Sequence, residues 1–338
     1  MTLDDLDRAL VHALHIDGRV PFNQVAAVLG TSAQTVARRY RKLRAGGVLR
    51  VVGMTDARRL GQVEWFLRLR CTPDAALAVA RALARRPDTS WVQLTSGGTE
   101  IACVIRAPGQ QAPEALLLQQ LPRTPRIVSV SAHCLLRSFV GGPVGWHGRA
   151  NVLTKAQIDQ LTPVLDPAPS EVDTHGDEGL LTALQQDGRA TFAELAATTG
   201  LSEPTVRRRV GQLRGSGTLY LDIDLDATAL GYHAEAVLWL SVRPARLVGV
   251  AQALARHPEV ALVAITTGPA NLLAKAVCRD VDALYTYLTE RVGTIEAIEH
   301  LETAPVISTL KRAATAATLT QQTADAVRGR PRLPGHAG

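Results

Sequence analysis

The sequence contains the same unit twice, and this duplication constrains the fold more than any other feature does. Residues 10–61 align with residues 180–231 without a gap, and "TVARRYRKLRAGG" at 35–47 returns as "TVRRRVGQLRGSG" at 205–217. Beyond this stretch the offset grows by one residue, since "ALARRP" ending at Pro87 returns as "ALARHP" ending at Pro258. The 338 residues are therefore predicted to form a tandem repeat of a unit of roughly 140 residues.

Each unit begins with short helical patterns that predict a helix-turn-helix. Ser32 and Ser202 are typical helix N-caps, and Gly30 and Gly200 end the helices that precede them. The apolar residues of the capped helices share one face; they are Val36, Tyr40 and Leu43 in the first copy and Val206, Val210 and Leu213 in the second. A capped second helix of this kind can enter the major groove of DNA.

The remainder of each unit alternates between strand and helix patterns. In the first unit, strand patterns cover 64–70, 89–95, 99–106 and 126–136, and helix patterns cover 73–86 and 113–121. The order βαββαβ predicts a ferredoxin-like layer of two helices on one antiparallel sheet. The predicted fold class is α+β, with two winged helix-turn-helix domains, each followed by a ferredoxin-like βαββαβ sensing domain.

Glycine and proline residues separate the two units and predict a linker between them. The predicted domains are an N-terminal helix-turn-helix domain at 1–50, a first ferredoxin-like domain at 51–140, a linker at 141–172, a second helix-turn-helix domain at 173–220, a second ferredoxin-like domain at 221–312 and a disordered tail at 313–338. Within the linker, Thr154 and Gln157 match a capping box, which predicts a short helix at 154–161.

Positive charge is concentrated around the first predicted recognition helix. Residues 18–55 contain seven Lys or Arg and no acid, whereas the whole chain has a net charge of +6. Because phosphate neutralisation is the main source of non-specific DNA affinity, we predict double-stranded DNA as the partner. The predicted DNA-binding residues are Ser32, Gln34, Thr35, Arg38, Arg39, Arg41, Lys42 and Arg44 in the first copy and Ser202, Thr205, Arg207, Arg208 and Arg209 in the second. The alternative is an ordinary solvated face of a small helical domain.

Within the first set, Gln34 and Arg38 suit base edges, because amide and guanidinium groups can pair bidentately with adenine and guanine. The two recognition helices differ in charge. Gly211 and Gln212 stand in the second copy where the first has Arg41 and Lys42, and an acid follows the second cap. We therefore expect the second helix to bind phosphate more weakly, and the target to have two unlike half-sites.

The first fifty residues resemble the N-terminal region of the Lrp/AsnC transcription regulators. The shared features are an opening L-D-x-x-D, a D-G-R after the first helix, a G-x-S turn, a T-V-x-x-R recognition helix and a G-V-L before a strand. The βαββαβ half is similar to the amino-acid-sensing domain of that family, in which a G-x-x-D turn helps bind the effector. Carried over by position, the effector-binding residues are Gly97, Gly98 and Glu100 in the first copy and Gly268 and Asn271 in the second.

Neither turn keeps the aspartate of the family, so a plain hairpin turn that needs glycine is an equally weighted alternative. The family resemblance also implies dimerisation through the sheets of the sensing domains. In a fused pair this predicts an internal pseudo-dimer in which Trp65, Leu67 and Leu69 face Val237, Trp239 or their neighbours. Whether such chains associate into a higher homo-oligomer stays open.

An enzymatic function is the competing class, because siroheme decarboxylases have the same two-domain unit and some are fused in tandem. Their chemistry depends on a histidine-containing H-N-Y stretch, and the segments "WVQLTSGGTEIACV" and "LVAITTGPANLLAKAV" contain no histidine. The sequence also has no G-x-S-x-G, phosphate-binding glycine loop or H-E-x-x-H. We therefore expect no enzyme, no catalytic residue and no cofactor. A third class, a purely structural or protein-interaction module, predicts loss of the basic recognition helix, and the first copy keeps that helix.

The cysteines and the N-terminus constrain location and metal binding. Cys71, Cys103, Cys134 and Cys278 are far apart and form no C-x-x-C pair, so we expect buried thiols and no metal site. No apolar run is long enough to cross a bilayer, and the N-terminus carries acids where a secretory signal needs a basic start. The protein is expected to be cytoplasmic and to have no membrane partner.

Overall fold

The computed structural model describes residues 3–108, 124, 126–142, 146, 151–169 and 172–313. The helices are α1 Asp5–Ile16, α2 Phe22–Leu29, α3 Ala33–Ala45, α4 Ala76–Ala84, α5 Lys155–Leu161, α6 Glu178–Gln186, α7 Phe192–Thr199, α8 Glu203–Gly215, α9 Leu247–Ala255 and α10 Val281–Thr286, which continues as a π-helical turn to Val292. The strands are β1 Leu49–Thr55, β2 Gln62–Cys71, β3 Thr89–Thr95, β4 Glu100–Pro108, β5 Ile127–Val140, β6 Leu219–Leu225, β7 Ala234–Val242, β8 Val260–Thr266, β9 Leu272–Cys278 and β10 Ile298–Lys311. Among the described helices, none could cross a membrane.

Local capping explains where the helices of both helix-turn-helix units begin and end. Ser32 and Ser202 cap α3 and α8, and each accepts the backbone N–H of the third residue that follows. The preceding helices α2 and α7 end at Gly30 and Gly200, whose φ angles of 64° and 73° suit glycine. The turn between the last two helices of each unit is therefore the predicted one, and α3 and α8 are the two recognition helices.

A two-stranded ribbon joins the two helix-turn-helix units. β1 pairs antiparallel with β6, from Leu49 opposite Leu225 to Thr55 opposite Leu219. α6 lies directly on this ribbon, because a Cβ added at Gly53 would be 2.8 Å from the Cβ of Leu184. The strand after each helix-turn-helix therefore pairs with its counterpart in the other unit, and both units share one wing.

The sensing halves together form one closed barrel of eight strands in the order β10-β3-β4-β2-β5-β8-β9-β7. The second half follows the predicted order β7-α9-β8-β9-α10-β10. The described part of the first half follows it as β2-α4-β3-β4-β5, and the helix predicted at 113–121 lies outside the described residues. Closure leaves each strand of the barrel paired on both sides, with no free sheet edge.

Two long strands connect the halves of the barrel. β5 pairs with β2 over its first half and with β8 over its second. β10 does the same with β7 and then with β3. Each long strand thus belongs to both sensing units, so the barrel is held together by backbone hydrogen bonds as well as by side-chain packing.

The core between the two units differs by one residue from the prediction. Phe66 lies against Trp239, with ring centroids 5.2 Å apart in an edge-to-face arrangement, inside a buried cluster between the units. The sequence predicted that Trp65, Leu67 and Leu69 would face the second unit, and this prediction is wrong. These residues pack in the core under α4. Because side chains alternate along a strand, the inward set of β2 begins at Phe66.

The linker contains the predicted short helix. Thr154 and Gln157 form a capping box at the start of α5, which confirms the predicted helix. α5 packs against the first helix-turn-helix, since Gln157 Nε2 donates to the carbonyl of Val28 at 3.1 Å. Of the predicted tail at 313–338, only Ala313 is described, and it is buried. The predicted domain limits stay a proposal.

Candidate nucleic-acid interface

The apolar stripe of each recognition helix faces inward, as predicted. Val36, Tyr40 and Leu43 are at most 5% exposed in α3. Val206 and Val210 take the same places in α8, together with Leu213. Most polar residues between these positions are therefore turned toward solvent, where a DNA duplex could meet them.

The solvent-facing side of α3 is cationic. Arg38, Arg41, Lys42 and Gln34 are exposed. Within the described residues, none of the three cations is ion-paired, and Arg41 makes one hydrogen bond, from its Nε to the Ala37 carbonyl at 3.3 Å. These side chains could pair with an external anion without first breaking an ion pair inside the protein.

Arg39 is directed away from that surface and binds α1. Its Nη1 donates to Asp4 at 2.5 Å and to Asp7 at 2.9 Å, and these hydrogen bonds raise the pKa of the guanidinium. Arg209 does the same in the second unit, where Nε donates to both oxygens of Asp177 at 2.8 and 2.9 Å. The sequence assigned both arginines to DNA contact. In the structure these arginines instead bind carboxylates at the first helix of their own unit and so hold each recognition helix against it.

Ion pairs cross between the two helix-turn-helix units. Arg44, another predicted DNA-binding residue, is 2.7 Å from Asp187. Its counterpart Arg214 is 2.7 Å from Asp17. The two pairs are equivalent under the internal repeat, so each recognition helix is anchored at its C-terminal end to the other unit.

A pair of arginines that the sequence analysis did not select forms the centre of this contact. Arg19 donates to the carbonyls of Gly188 and Ala190, both at 2.8 Å. Arg189 donates in return to the carbonyls of Gly18 at 2.6 Å and Val20 at 3.1 Å. The guanidinium groups also lie over aromatic rings of the opposite unit, at 4.7 and 4.3 Å from the ring centroids.

Burial, with smaller contributions from neighbouring arginines, lowers the pKa of Arg19 to about 10, so it remains charged at neutral pH. The signal for this contact was present in the sequence. Asp17, Gly18 and Arg19 recur unchanged as residues 187–189, although no core periodicity requires them. In the sequence the motif is a feature of the family resemblance that follows the first helix. Its role is to join the two units.

α8 offers fewer free cations than α3. Arg207 is ion-paired with Glu203 at 3.0 Å and lies over the ring of Phe192. Arg208 is exposed and, in the part of the chain that the structure describes, unpaired. The hydroxyls of Ser202 and Thr205 hydrogen bond to each other at 2.8 Å, as those of Ser32 and Thr35 do at 2.9 Å. The predicted charge difference between the helices therefore persists among the unpaired cations of the described residues, three on α3 and one on α8.

The predicted sensing turn of the first unit holds no free carboxylate. Gly97 and Gly98 have positive φ angles of 74° and 85°, as a tight turn between β3 and β4 requires. Glu100 is only 3% exposed, and both its oxygens accept hydrogen bonds from Arg68 at 2.8 and 2.9 Å. Glu100 is thus buried and already ion-paired with Arg68, which disfavours pairing with the amino group of an effector.

Arg68 also bonds to Glu302 of the second unit, at 2.9 Å through Nη1, and this hydrogen bond lowers the pKa of that carboxyl. The turn of the second unit is equally occupied. Asn271 accepts the backbone N–H of Val242 at 2.9 Å and donates to its carbonyl at 2.8 Å. A Cβ added at Gly268 would be 2.6 Å from Nδ1 of His133. All these contacts favour a structural role for both turns.

The described residues contain no cluster of His, Cys, Asp or Glu that could hold a metal ion. Cys71, Cys103 and Cys278 are buried, and Cys134 is half-buried. His133 has hydrogen-bond partners at both ring nitrogens, Thr267 O at 2.9 Å and Ser131 Oγ at 3.3 Å, and it packs against Trp239. It is a satisfied core histidine.

The whole-chain architecture is shared with an enzyme. The crystal structure of the siroheme decarboxylase NirDL matches 96% of this chain and 100% of its own, with 15% sequence identity and a TM-score of 0.61. A second structure of that enzyme, in complex with an iron-uroporphyrin III analogue, matches equally well at a TM-score of 0.61. The firm expectation that the chain is not an enzyme, which was based on missing catalytic motifs, is therefore contradicted, because a decarboxylase has the same tandem fold.

Family models and relatives identify the two kinds of domain. The AsnC-type helix-turn-helix model matches residues 3–44 and 175–214, and the Lrp/AsnC ligand binding domain model matches residues 235–315. The HTH-type transcriptional regulator FL11 of Pyrococcus horikoshii is 32% identical over 136 residues, which are 40% of this chain and 89% of that regulator. The regulatory protein AsnC of Escherichia coli is 32% identical over 142 residues, covering 40% of this chain and 93% of AsnC. The chain therefore belongs to the Lrp/AsnC family of transcription regulators, in a form that carries the helix-turn-helix twice.

Proposed function

We propose that this protein is a transcription regulator that binds double-stranded DNA at two half-sites, one for each recognition helix. The observation that carries the proposal is the exposed cationic face of α3. Arg38, Arg41 and Lys42 project from a helix whose opposite face is buried, without an ion pair among the described residues. A cationic helix face of this kind supplies phosphate contacts and, through Gln34 and Arg38, contacts to base edges.

The contact between the units supports a fixed spacing of the two readers. Arg19 and Arg189, with the crossed ion pairs of Arg44 and Arg214, hold the helix-turn-helix units against each other. Readers related by a two-fold axis meet half-sites one helical turn of DNA apart, or a multiple of it. We expect a target with two half-sites at one preferred separation.

The two half-sites should be unlike. α3 presents three unpaired cations, whereas Arg208 is the unpaired cation of α8 within the described residues. Phosphate contacts should therefore be concentrated at the half-site that α3 occupies. The second half-site would depend more on the contact between the two units, which brings α8 to the DNA once α3 is bound.

A small molecule, an amino acid among the candidates, would regulate this binding through the barrel. The turns at 97–100 and 268–271 are weak candidates for its site, because Glu100 and Asn271 already have partners. A protein that binds DNA acts in the compartment that contains the genome, and we propose that this compartment is the cytoplasm. Association of several chains into a larger homo-oligomer stays a prediction.

Salt-dependent binding to a random-sequence DNA duplex tests the proposal. The logarithm of the binding constant should fall linearly with the logarithm of salt concentration, by about 0.9 for each phosphate contact. The double variant Arg38→Ala with Lys42→Ala should reduce this slope by about 2, and Arg208→Ala by about 1. Arg81→Ala, on the exposed side of α4, is the matched control and should leave the slope unchanged. Binding that is absent at low salt would refute the proposal.

A second candidate function is decarboxylation of a tetrapyrrole. The observation that favours it is the match of 96% of the chain to the siroheme decarboxylase fold. The test is absorbance in the Soret region after addition of an iron tetrapyrrole to the full chain. A saturable shift together with loss of carbon dioxide from the substrate would establish this function, and an unchanged spectrum would exclude it.

A further inference from the structure

A cavity of about 140 Å³ lies between one end of the barrel and the ribbon of β1 and β6. Its walls come from both sensing units and from the ribbon, and they include Phe66, Trp91, Arg106, Trp146, Tyr220 and Lys275. It is separate from the turns at 97–100 and 268–271, which contribute none of its lining residues. We refer to this space as the ribbon cavity.

Aromatic residues are concentrated at the ribbon cavity. The chain has only four Trp, four Phe and five Tyr, yet two Trp, one Phe and one Tyr line this single space. An apolar cavity of roughly 150 Å³ can hold one benzene molecule, so the volume matches a single ring. The flat walls favour a planar apolar body of that size.

Trp91 has an unusual backbone conformation at this site. Its φ angle is 51°, in the left-handed region that is costly for a bulky residue. The pairing of β3 with β4 shifts register between Ser90 and Gln93, and the N–H of Trp91 donates outside that ladder, to the carbonyl of Arg312 at 3.0 Å. Such outliers concentrate where a side chain must be placed for function. Here the shift places the indole in the cavity wall.

Lys275 supplies the polar anchor. Its side chain is 14% exposed, and Nζ is 2.8 Å from Glu235 and 5.4 Å from the ring centroid of Trp91. An ammonium group has three N–H donors, and in the described part of the chain Lys275 has one ion-pair partner, Glu235. Lys275 can therefore donate to an acceptor on a ligand while it keeps its ion pair.

The charges of the walls limit the ligand further. Asp56, Glu64 and Asp222 outnumber Arg106 and Lys275 among the lining residues. Arg106 already donates to Glu64 at 2.9 Å and to Thr55 at 3.1 Å. An anionic ligand would meet an excess of carboxylates, and a cationic ligand would meet Lys275 on the face of Trp91. An uncharged ring with a carbonyl acceptor fits both constraints.

We propose that the ribbon cavity binds a small, uncharged, single-ring molecule carrying a carbonyl acceptor, and that this ligand is the effector of the regulator. The effector role rests on the proposed function. Tyr220 and Asp222 line the cavity from β6, and Met54 does so from β1, whose Gly53 contacts α6. A ligand that displaces the ribbon must therefore alter the seating of the helix-turn-helix units.

Benzamide is the probe, and calorimetry with quenching of tryptophan fluorescence in the full chain is the readout. Benzamide should bind saturably. Benzoate, an anion, and benzylamine, a cation, should bind at least about tenfold more weakly, because each brings an unpaired charge into a buried site. Ser138→Phe, which fills the cavity, and the double variant Lys275→Met with Glu235→Gln should each weaken benzamide at least about tenfold. Lys155→Met, on the exposed face of α5, is the control and should bind as the parent does.

The outcomes separate the site from the proposed function. Absence of saturable benzamide binding, or equal binding by the Ser138→Phe variant, overturns the site. If benzoate or benzylamine binds more strongly than benzamide, the claim that the ligand is uncharged is overturned. If an iron tetrapyrrole binds and Ser138→Phe prevents that binding, the claim that the ligand has a single ring is overturned. Benzamide that binds without changing the affinity for DNA overturns the effector role alone. A chain that binds benzamide but no DNA refutes the proposed function while the site stands.

Discussion

Replacing Arg19 with alanine tests the contact between the two helix-turn-helix units. The substitution removes two hydrogen bonds from a charged donor, both at 2.8 Å, and leaves the carbonyls of Gly188 and Ala190 without their partner. Hydrogen bonds of this kind contribute about 1.5 to 3 kcal/mol each. The burial that lowers the pKa of Arg19 to about 10 opposes them. We therefore take the low end of the sum and expect a loss of about 3 kcal/mol, which corresponds to roughly a hundredfold change in an equilibrium constant.

Selection of DNA from a random pool measures the consequence. The parent protein should enrich fragments with two motifs at one separation, because its readers are fixed relative to each other. Arg19→Ala should enrich the same motifs at several separations, since the contact that sets the distance is weakened while α3 and α8 keep their surfaces. Arg189→Ala is the matched variant and should behave alike, because its bonds mirror those of Arg19.

Urea unfolding checks the magnitude on the same proteins, with Arg81→Ala as the neutral control. A single sharp separation retained by both Arg19→Ala and Arg189→Ala would refute the reasoning. So would a loss of stability below about 0.5 kcal/mol, the level expected for an ordinary surface substitution.

Two further predictions concern stability. Burial lowers the pKa of His12, whose Nδ1 accepts the N–H of Leu153 at 3.1 Å, so the folded state needs the neutral ring. The contribution of His12 to folding stability is present above the unfolded pKa of about 6.5 and is lost as pH falls below it. The His12→Gln variant should therefore lose less stability than the parent between neutral and acidic pH in urea titrations. The control His175→Gln, at an exposed position, should follow the parent. Phe66→Ala should lower the free energy of unfolding by about 3 to 5 kcal/mol, because it leaves a cavity in the core between the units. Leu136→Ala, at a position 52% exposed, should change that free energy by less than about 0.5 kcal/mol. Equal effects of the two substitutions would contradict the assigned core.

The sequence predicted well what depends on local spacing. The caps at Ser32 and Ser202, the buried stripes of α3 and α8 and the capping box of α5 follow from residue types three or four positions apart. The duplicated βαββαβ order also follows from local patterns. These features need no knowledge of what packs against them.

The sequence predicted poorly what depends on partners far along the chain. Arg39 looked like its exposed neighbours, but α1 brings two carboxylates to it. Glu100 looked like a free ligand, yet Arg68 comes from a neighbouring strand. The inward face of β2 was misassigned because Arg68 interrupts the apolar alternation on that face, and a charged residue there is explained only by Glu100 and Glu302. In each case the missing information was a pairing between distant residues.

The fusion of both units into one chain, whose barrel β5 and β10 close, has a consequence for how such a regulator can evolve and operate. Two copies of a single-unit chain are identical and separate on dilution, whereas here both units belong to one polypeptide and remain at a fixed ratio at any cellular abundance. Either half is then free to change its sequence without forcing the same change on the other. Under the proposed function, the DNA target of such a chain does not need to be palindromic.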